Sequence, residues 1–264
     1  MSLETDVLAL AVEIAREAGE LAHRRRSEGV AIAATKSAVA DIVTEADREV
    51  EALIRDRLAA ARPGDGFLGE ESGAAGGTTD VTWVVDPIDG TVNYAYGLPT
   101  YAVSVAAVAG DPDPGTWTAL AGAVFAPGLG ELFTAARGEG ARLGGRRLAV
   151  ASEVGAAGAL VATGFGYDPA THAGDLERLA RVMPLARDIR RIGAASVDLC
   201  YVAAGRLDAY FERGINPWDH AAGGLIVQEA GGLIGGLSGG PPSREMTIAA
   251  PPALFEAIER ALTA

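Results

Sequence analysis

The chain has 264 residues, of which 49% are hydrophobic and 22% are charged, and this composition is typical of a folded globular protein and excludes a disordered one. Its 35 acidic residues against 22 basic ones give a formal charge of -13, which argues against nucleic acid or an anionic membrane surface as a partner. Cys200 is the single cysteine, which excludes an intrachain disulfide, and without a leader or a membrane-length apolar run we expect a cytoplasmic protein.

The N-terminal part predicts two amphipathic helices. Apolar residues recur at helical spacing from Leu3 to about Glu28, and Gly29 ends that pattern. A second helix is predicted to start near Thr44, because Thr44 and Asp47 have the spacing of a capping box, and it should end before a Pro-Gly pair at position 63.

A loop or short hairpin and four strands are predicted next. Residues 64–79 are rich in glycine and small polar residues, which is typical of a loop or hairpin. The strand-forming stretches cover residues 81–85, 102–108, 117–125 and 131–135. The sequence GDPDPG separates the middle two and predicts an antiparallel hairpin.

Strand and helix patterns alternate in the rest of the chain. The predicted strands cover residues 160–163, 189–192, 207–211 and 246–249, and the predicted helices cover residues 175–186, 194–204, 219–230 and 253–262. This mixture predicts a layered α/β or α+β fold. We expect one domain, residues 1–264, with two lobes at residues 1–145 and 146–264.

The segment WVVDPIDGTVNY places Asp86 and Asp89 after a short apolar strand. Two such carboxylates repel each other unless a cation lies between them or one is protonated. Oxygen ligands without thiol or imidazole suit Mg²⁺ or Mn²⁺ rather than zinc, and Mg²⁺ is the first choice. Gly90 permits a tight turn, and Thr91 can begin a short helix whose amides point toward an anion such as phosphate. The alternative is ordinary turn chemistry around Gly90.

Two further acidic segments favour the same interpretation. The sequence GEES places Glu70 in the predicted loop, so its charge cannot be that of an ordinary solvent-exposed helix face. The sequence WDHAAG places Asp219 at the start of a predicted helix, where the alternative role is that of an N-cap. The three histidines are too scattered for a zinc site, so His220, like the other two, is expected to be a surface or capping residue.

Seven segments together resemble the inositol monophosphatase family of the lithium-sensitive, magnesium-dependent phosphatase superfamily. In chain order they are Lys36 followed by DIVTEAD, then GEES, WVVDPIDGTVNY, LPTYAVSVA, RRIGAAS, DAYFERG and WDHAAG. Each segment alone is weak, but their joint occurrence in order is specific. The resemblance implies an α+β fold, a layered α-β-α-β-α sandwich of the inositol monophosphatase and fructose bisphosphatase type. It also implies a homodimer that hydrolyses phosphate monoesters with two or three Mg²⁺ ions.

The same resemblance implies metal ligands. For the first metal site, the matching positions are Glu70, Asp86, the carbonyl of Ile88 and Thr91. For the second site, they are Asp86, Asp89 and Asp219. Glu70 also matches a contact to a third, weaker ion.

The resemblance further implies catalytic and substrate-binding positions. Thr91 and Asp47, with Glu70 and Lys36, match the residues around the attacking water, although Lys36 can also be a solvated loop lysine. The positions implied on the substrate side are Asp89, Gly90, Thr91 and Asp219 near the phosphate, and Ala195 and Glu212 near the alcohol. For Glu212 the alternative is a salt bridge to Arg213 or Arg206.

The leading functional prediction is a Mg²⁺-dependent inositol monophosphatase whose substrate is a small phosphorylated polyol. Histidinol phosphate, fructose bisphosphate and adenosine bisphosphate stay open as substrates, because these enzymes share the metal chemistry and differ in the alcohol pocket. A metal-dependent binding protein without activity is the alternative from another class. The presence of Glu70, Thr91 and Asp47 disfavours it.

Overall fold

The structure is a computed structural model, and it describes residues 2–29, 32–35, 42–154 and 158–264. Its α-helices are α1 (Leu3–Glu28), α2 (Glu45–Ala61), α3 (Thr91–Ala95), α4 (His172–Val182), α5 (Ala195–Ala203), α6 (Pro217–Glu229) and α7 (Pro252–Thr263). None of the helices in these described ranges is long and apolar enough to cross a membrane.

The strands form two large sheets and a small ribbon. They are β1 (Ile32–Thr35), β2 (Ile42–Thr44), β3 (Gly66–Gly69), β4 (Gly73–Ala75), β5 (Val81–Asp89), β6 (Ala102–Ala109), β7 (Thr118–Ala126), β8 (Glu131–Ala136), β9 (Gly140–Leu143), β10 (Arg146–Arg147), β11 (Ala159–Thr163), β12 (Ala186–Arg190), β13 (Ala209–Glu212), β14 (Leu233–Gly235) and β15 (Thr247–Ala250). One sheet has the order β10-β9-β8-β7-β6-β5-β3-β4, and the other has the order β12-β11-β13-β15-β14.

These elements stack in five layers. Helices α1 and α2 bury their apolar faces on one side of the eight-stranded sheet, with Ile14 and Ile54 fully buried there. Helices α5 and α6 lie between the two sheets, and Leu199 and Ile226 are in that core. Helices α4 and α7 cover the outer face of the five-stranded sheet. This is the predicted α-β-α-β-α sandwich, which is therefore confirmed.

The ends of the first two helices follow their local chemistry. The Ser2 side chain caps α1, and Gly29, with a φ of 113°, ends it as predicted. The predicted capping box of α2 is also present, because the Asp47 carboxylate accepts the amide of Thr44 at 2.7 Å. One side of Asp47 is therefore already used by the backbone.

Several predicted strands have different bounds in the structure. The β6–β7 hairpin is antiparallel as predicted, but β5 does not end at residue 85 and instead continues to Asp89, with irregular pairing to β6 between Asp86 and Asp89. Strand β12 ends at Arg190, which is two residues before the predicted end. The short strands β1, β2, β9, β10 and β14 were not predicted, and β2, β10 and β14 have only two or three residues, which is too few to show a period. The division into lobes at residue 145 stays a prediction.

Close packing of α6 on the large sheet depends on Gly122 in β7. A β-carbon at this position would lie 2.9 Å from the Ala222 α-carbon and 3.0 Å from its carbonyl oxygen. We expect Gly122→Ala to lower the free energy of unfolding by about 1–3 kcal/mol, because the backbones cannot approach as closely. Thermal or urea unfolding measures this change. Gly76→Ala is the control, since nothing lies within 4 Å of that position, and an equal loss in both variants would contradict the argument.

Candidate active site

Three aspartates from two distant segments of the chain meet at one end of the large sheet. Asp86 and Asp89 lie at the end of β5, and Asp219 lies in the first turn of α6. Each offers a carboxylate oxygen, and these oxygens all lie within 4.8 Å of one another. Asp86 and Asp89 are buried, with exposed fractions of 1% and 7%. The sequence-based prediction that these acids converge agrees with this geometry.

The cluster is electrostatically costly without a counter-ion. Burial raises the pKa of Asp86 well above its usual value, and the negative charges of Glu70, Asp89 and Asp219 raise it further. Burial also raises the pKa of Asp219, to which the charges of Asp89 and Glu70 contribute. Each ionised carboxylate therefore favours protonation of its neighbours. A cation bound among them would offset the repulsion between the ionised carboxylates.

The turn after β5 arranges the groups around Thr91. The Asp86 carboxylate accepts the amide of Ile88 at 3.0 Å, across Pro87. Gly90 then adopts a φ of 85° and precedes α3, the short helix that was predicted to begin at Thr91. The Thr91 hydroxyl is within hydrogen-bond distance of the Ile88 carbonyl at 3.0 Å and of the Asp47 carboxylate at 3.3 Å. The predicted Thr91 and Asp47 pair is thus in contact.

Asp89 also makes contacts that the sequence did not reveal. Its carboxylate accepts the amides of Ala195 and Ser196 at 3.1 and 2.7 Å and the Ser196 hydroxyl at 2.5 Å. These hydrogen bonds join the end of β5 to the start of α5. They also use the Ala195 amide, so a contact between Ala195 and an alcohol would need another atom of that residue. The segment RRIGAAS was matched to the family, but nothing in its sequence predicted these hydrogen bonds to Asp89.

Glu70 lies in the turn of the β3–β4 hairpin, at the edge of the cluster. Its amide donates to the carbonyl of Val85 in the neighbouring strand at 3.2 Å. Its charge acts on Asp86 and Asp219, although it does not belong to the group whose oxygens lie within 4.8 Å. The predicted hairpin therefore brings Glu70 to the site. Lys36 lies outside the described residues.

Glu212 lies at the end of β13 and is half-buried. The Tyr210 hydroxyl donates to its carboxylate at 2.9 Å, and a β-carbon on Gly164 would come within 2.2 Å of it. The alternative salt bridges are not formed, since Arg206 pairs with Glu131 and Arg213 pairs with Asp175. Burial raises the pKa of Glu212 to about 7, although the Tyr210 hydrogen bond and the Arg191 charge favour the ionised form.

In the WDHAAG segment, the structure differs from the alternative role considered for Asp219 and from the surface position expected for His220. Asp219 is not the N-cap of α6 but lies three residues after the cap Asn216, whose amide it accepts at 2.5 Å. His220 is not at the surface, because it is 2% exposed and packs near Trp117. Burial lowers the pKa of His220 to about 4, so it is neutral at physiological pH. The apolar surroundings of α6 explain both its burial and its neutrality.

The donor set fits a divalent cation. The three carboxylates cluster, and the Thr91 hydroxyl and the Ile88 carbonyl, which contact each other, lie beside Asp89 in the chain; all of these groups are oxygen donors. Hard cations such as Mg²⁺ and Ca²⁺ prefer oxygen ligands, whereas zinc sites use mainly nitrogen and sulphur. Burial raises the pKa of Asp86 and of Asp219, and the charges of the neighbouring acids raise both further, so a bound cation would stabilise the ionised carboxylates. The residues present can therefore hold a metal ion.

The chain is similar to known proteins over nearly its whole length. A family model described as the inositol monophosphatase family matches residues 3–263. Inositol-1-monophosphatase SuhB from Mycobacterium tuberculosis is 45% identical over 244 residues, which cover 86% of this chain and 82% of that protein. Nus factor SuhB from Escherichia coli K12 is 40% identical over 237 residues, with coverages of 89% and 86%. Extragenic suppressor protein suhB from Bartonella henselae has a crystal structure with a TM-score of 0.88, 36% identity and coverages of 97% and 98%.

Proposed function

Because the chain belongs to the inositol monophosphatase family, a family of metal-dependent phosphoric monoester hydrolases, we propose that it is a Mg²⁺-dependent inositol monophosphatase. It would convert an inositol phosphate and water into inositol and phosphate. The observation that carries this proposal is the convergence of Asp86, Asp89 and Asp219 within 4.8 Å, next to the Thr91–Asp47 contact.

The proposed metal ligands are the acids and oxygen donors of this site. They are Glu70, Asp86, the Ile88 carbonyl and Thr91 for one ion, and Asp86, Asp89 and Asp219 for a second, with Glu70 also contacting a third. When bound, Mg²⁺ supplies Lewis-acid chemistry, which lowers the pKa of a water and neutralises the charge of a phosphate ester. The buried, electron-rich donor set supports this assignment.

The side chains of the site have separate roles in this proposal. The Thr91 hydroxyl donates a hydrogen bond to Asp47, and its oxygen faces the attacking water. As Thr91 takes a proton from that water, it passes its own hydroxyl proton to the Asp47 carboxylate. Asp47 fixes that orientation, and Glu70 contacts the water from the hairpin. The amides of Gly90 and Thr91 donate to the phosphate oxygens. Asp219, together with Asp89, lies on the side of the leaving alcohol and holds the water that protonates it.

Glu212 is proposed as the acceptor for hydroxyl groups of the polyol. An ionised carboxylate accepts hydrogen bonds from two hydroxyls. The Tyr210 hydroxyl holds the Glu212 carboxylate in place, and Gly164 leaves room for it because a glycine has no β-carbon. Ala195, at the start of α5, is proposed to line the same side. Histidinol phosphate, fructose bisphosphate and adenosine bisphosphate are the other candidate substrates.

We expect KM for inositol monophosphate to fall as the pH rises through about 7, because the pKa of Glu212 is about 7 and only its ionised form accepts two hydroxyl hydrogen bonds. Glu212→Gln should have a higher KM that lacks this pH step. Initial rates of both proteins between about pH 5.5 and 8.5, on either side of that pKa, measure the pH dependence of KM. Ionisation of the substrate phosphate occurs equally in both proteins, so a step of the same size in the variant would contradict the role of Glu212.

Phosphate release from a panel of substrates tests the proposed function. With Mg²⁺, the protein should hydrolyse inositol monophosphate with a higher kcat/KM than histidinol phosphate, fructose bisphosphate or adenosine bisphosphate, and EDTA should abolish the activity. A different preferred substrate would correct the specificity alone. Equal phosphate release with Mg²⁺ and with EDTA would reject the metal-dependent reaction.

One relative is named as a Nus factor, which is a name for a different role. That name does not conflict with hydrolysis here, because the chain retains the acids and the Thr91–Asp47 contact that the chemistry needs. A homodimer in the cytoplasm stays part of the proposal, and it rests on the family resemblance.

A further inference from the structure

Glu51 holds the turn that carries Glu70. It is buried in α2, with an exposed fraction of 3%. One carboxylate oxygen accepts the amide of Glu71 at 2.8 Å, and the other accepts the amide of Ser72 at 2.7 Å. Both oxygens of one side chain therefore hold the two residues that directly follow Glu70.

The opposite side of the turn is fixed as well. The Glu70 amide donates to the carbonyl of Val85, the residue that precedes Asp86. Gly69 allows the carboxylate to approach, because a β-carbon there would lie 2.5 Å from a Glu51 oxygen. Glu70 is thus bounded by a backbone hydrogen bond to β5 on one side and by the Glu51 carboxylate on the other.

The use of a charged residue here needs an explanation. Within the described part of the chain, no lysine or arginine forms an ion pair with Glu51, so the two turn amides are its observed partners. A carboxylate can accept two amide hydrogen bonds at once, whereas a neutral glutamine presents one acceptor and one donor. Glu51 lies one helical turn after Asp47, so a single helix fixes both the partner of Thr91 and the hairpin turn.

We propose that Glu51 is a positioning residue, which holds the Glu70 carboxylate toward Asp86 and Asp219 and thereby sets the affinity for the divalent cation. This inference rests on the proposed function, because it assumes that Glu70 contacts the metal. Groups that orient metal ligands typically change metal affinity by about 10- to 100-fold when they are lost. We expect an effect of this size from Glu51.

Calorimetric titration with Mg²⁺ alone and amide hydrogen exchange in EDTA test the proposal on the full chain. Glu51→Gln should raise the Kd for Mg²⁺ by about 10- to 100-fold and increase exchange at Glu71 and Ser72. At saturating Mg²⁺, its KM for substrate should be close to that of the wild type. Asp56→Asn, on an exposed part of α2, is the control and should change neither quantity.

The outcomes separate positioning from a structural role. Unchanged Mg²⁺ affinity in a folded Glu51→Gln protein, whatever its melting temperature, would overturn the proposal. If that variant does not fold, Glu51→Asp decides in the same titration, since it keeps the charge but is too short for both amides. Wild-type protein that binds Mg²⁺ but hydrolyses no phosphate ester would reject the proposed function, while the exchange and titration data would still decide the role of Glu51.

Discussion

Asp86→Asn should abolish phosphate release almost completely and at the same time stabilise the metal-free protein. Asp86 belongs to the cluster with Asp89 and Asp219 and is proposed to contact both principal ions. Its loss should therefore remove several kcal/mol of metal-based stabilisation, or about a 10³-fold or larger decrease in kcat. Colorimetric phosphate assays at saturating Mg²⁺ measure the loss.

The stability change has the opposite sign because the neighbouring acids disfavour an ionised Asp86. Burial and these acids raise the pKa of Asp86, so the folded metal-free protein loses stability as the pH rises from the ordinary pKa of an aspartate toward that raised value. A pKa difference of one between the folded and unfolded states corresponds to about 1.4 kcal/mol. An asparagine side chain cannot ionise, and the free energy of unfolding of Asp86→Asn in EDTA near neutral pH should therefore rise by about 1–3 kcal/mol.

Asp65→Asn is the matched control for this pair of effects. Burial raises the pKa of Asp65, but hydrogen bonds from Arg62, Thr79 and Trp83 outweigh burial and lower it overall. The Asp65 carboxylate therefore stabilises the fold above its unfolded pKa, and Asp65→Asn should lose about 1.5–3 kcal/mol with activity retained. If Asp86→Asn also destabilises the metal-free protein, the acids are not in conflict and the electrostatic argument fails.

Thr91→Val should lower kcat by about 10²- to 10⁴-fold, which is the usual contribution of a positioned acid or base. Valine has nearly the shape of threonine but cannot accept a proton from water or donate to Asp47 and Ile88. Steady-state kinetics at saturating Mg²⁺ measure the effect, and the stability cost should be only about 1 kcal/mol for the lost hydrogen bonds.

Thr91→Ser separates the hydroxyl from the methyl group. Serine keeps the oxygen that contacts Asp47, so this variant should retain most of the activity. A serine variant as inactive as the valine variant would show that packing around Thr91, which is 9% exposed, matters more than its hydroxyl.

The sequence predicted the long, strongly periodic elements well. The first helix has the predicted bounds, and the capping box of Thr44 and Asp47 is formed. The five layers were implied by the family resemblance and are confirmed. A cation site between Asp86 and Asp89 was predicted from the repulsion of two adjacent carboxylates, whereas the placement of Asp219 beside them was implied by the family resemblance.

Features that depend on contacts between residues far apart in the chain could not be predicted from local sequence patterns. Strand β5 continues through Pro87 because an irregularity in its pairing with β6 accommodates the proline, and propensity alone favours ending the strand earlier. Glu51 has the same spacing as any helical acid, and only the folded hairpin shows that it holds the turn. The burial of His220 arises from packing of α6 against the large sheet, near Trp117. The sequence does not show this contact, so His220 was expected at the surface.

The acids of the site also accept hydrogen bonds from backbone amides at the starts of three helices. Asp47 and Asp219 each accept a backbone amide at the start of their own helix, and Asp89 accepts two amides at the start of α5. Each of these carboxylates is consequently anchored to the main chain by bonds that do not involve a cation. If the proposed metal ions bind here, their removal would leave these anchored carboxylates in place, so rebinding of Mg²⁺ after a chelator is removed should be as quick as diffusion and dehydration of the ion allow.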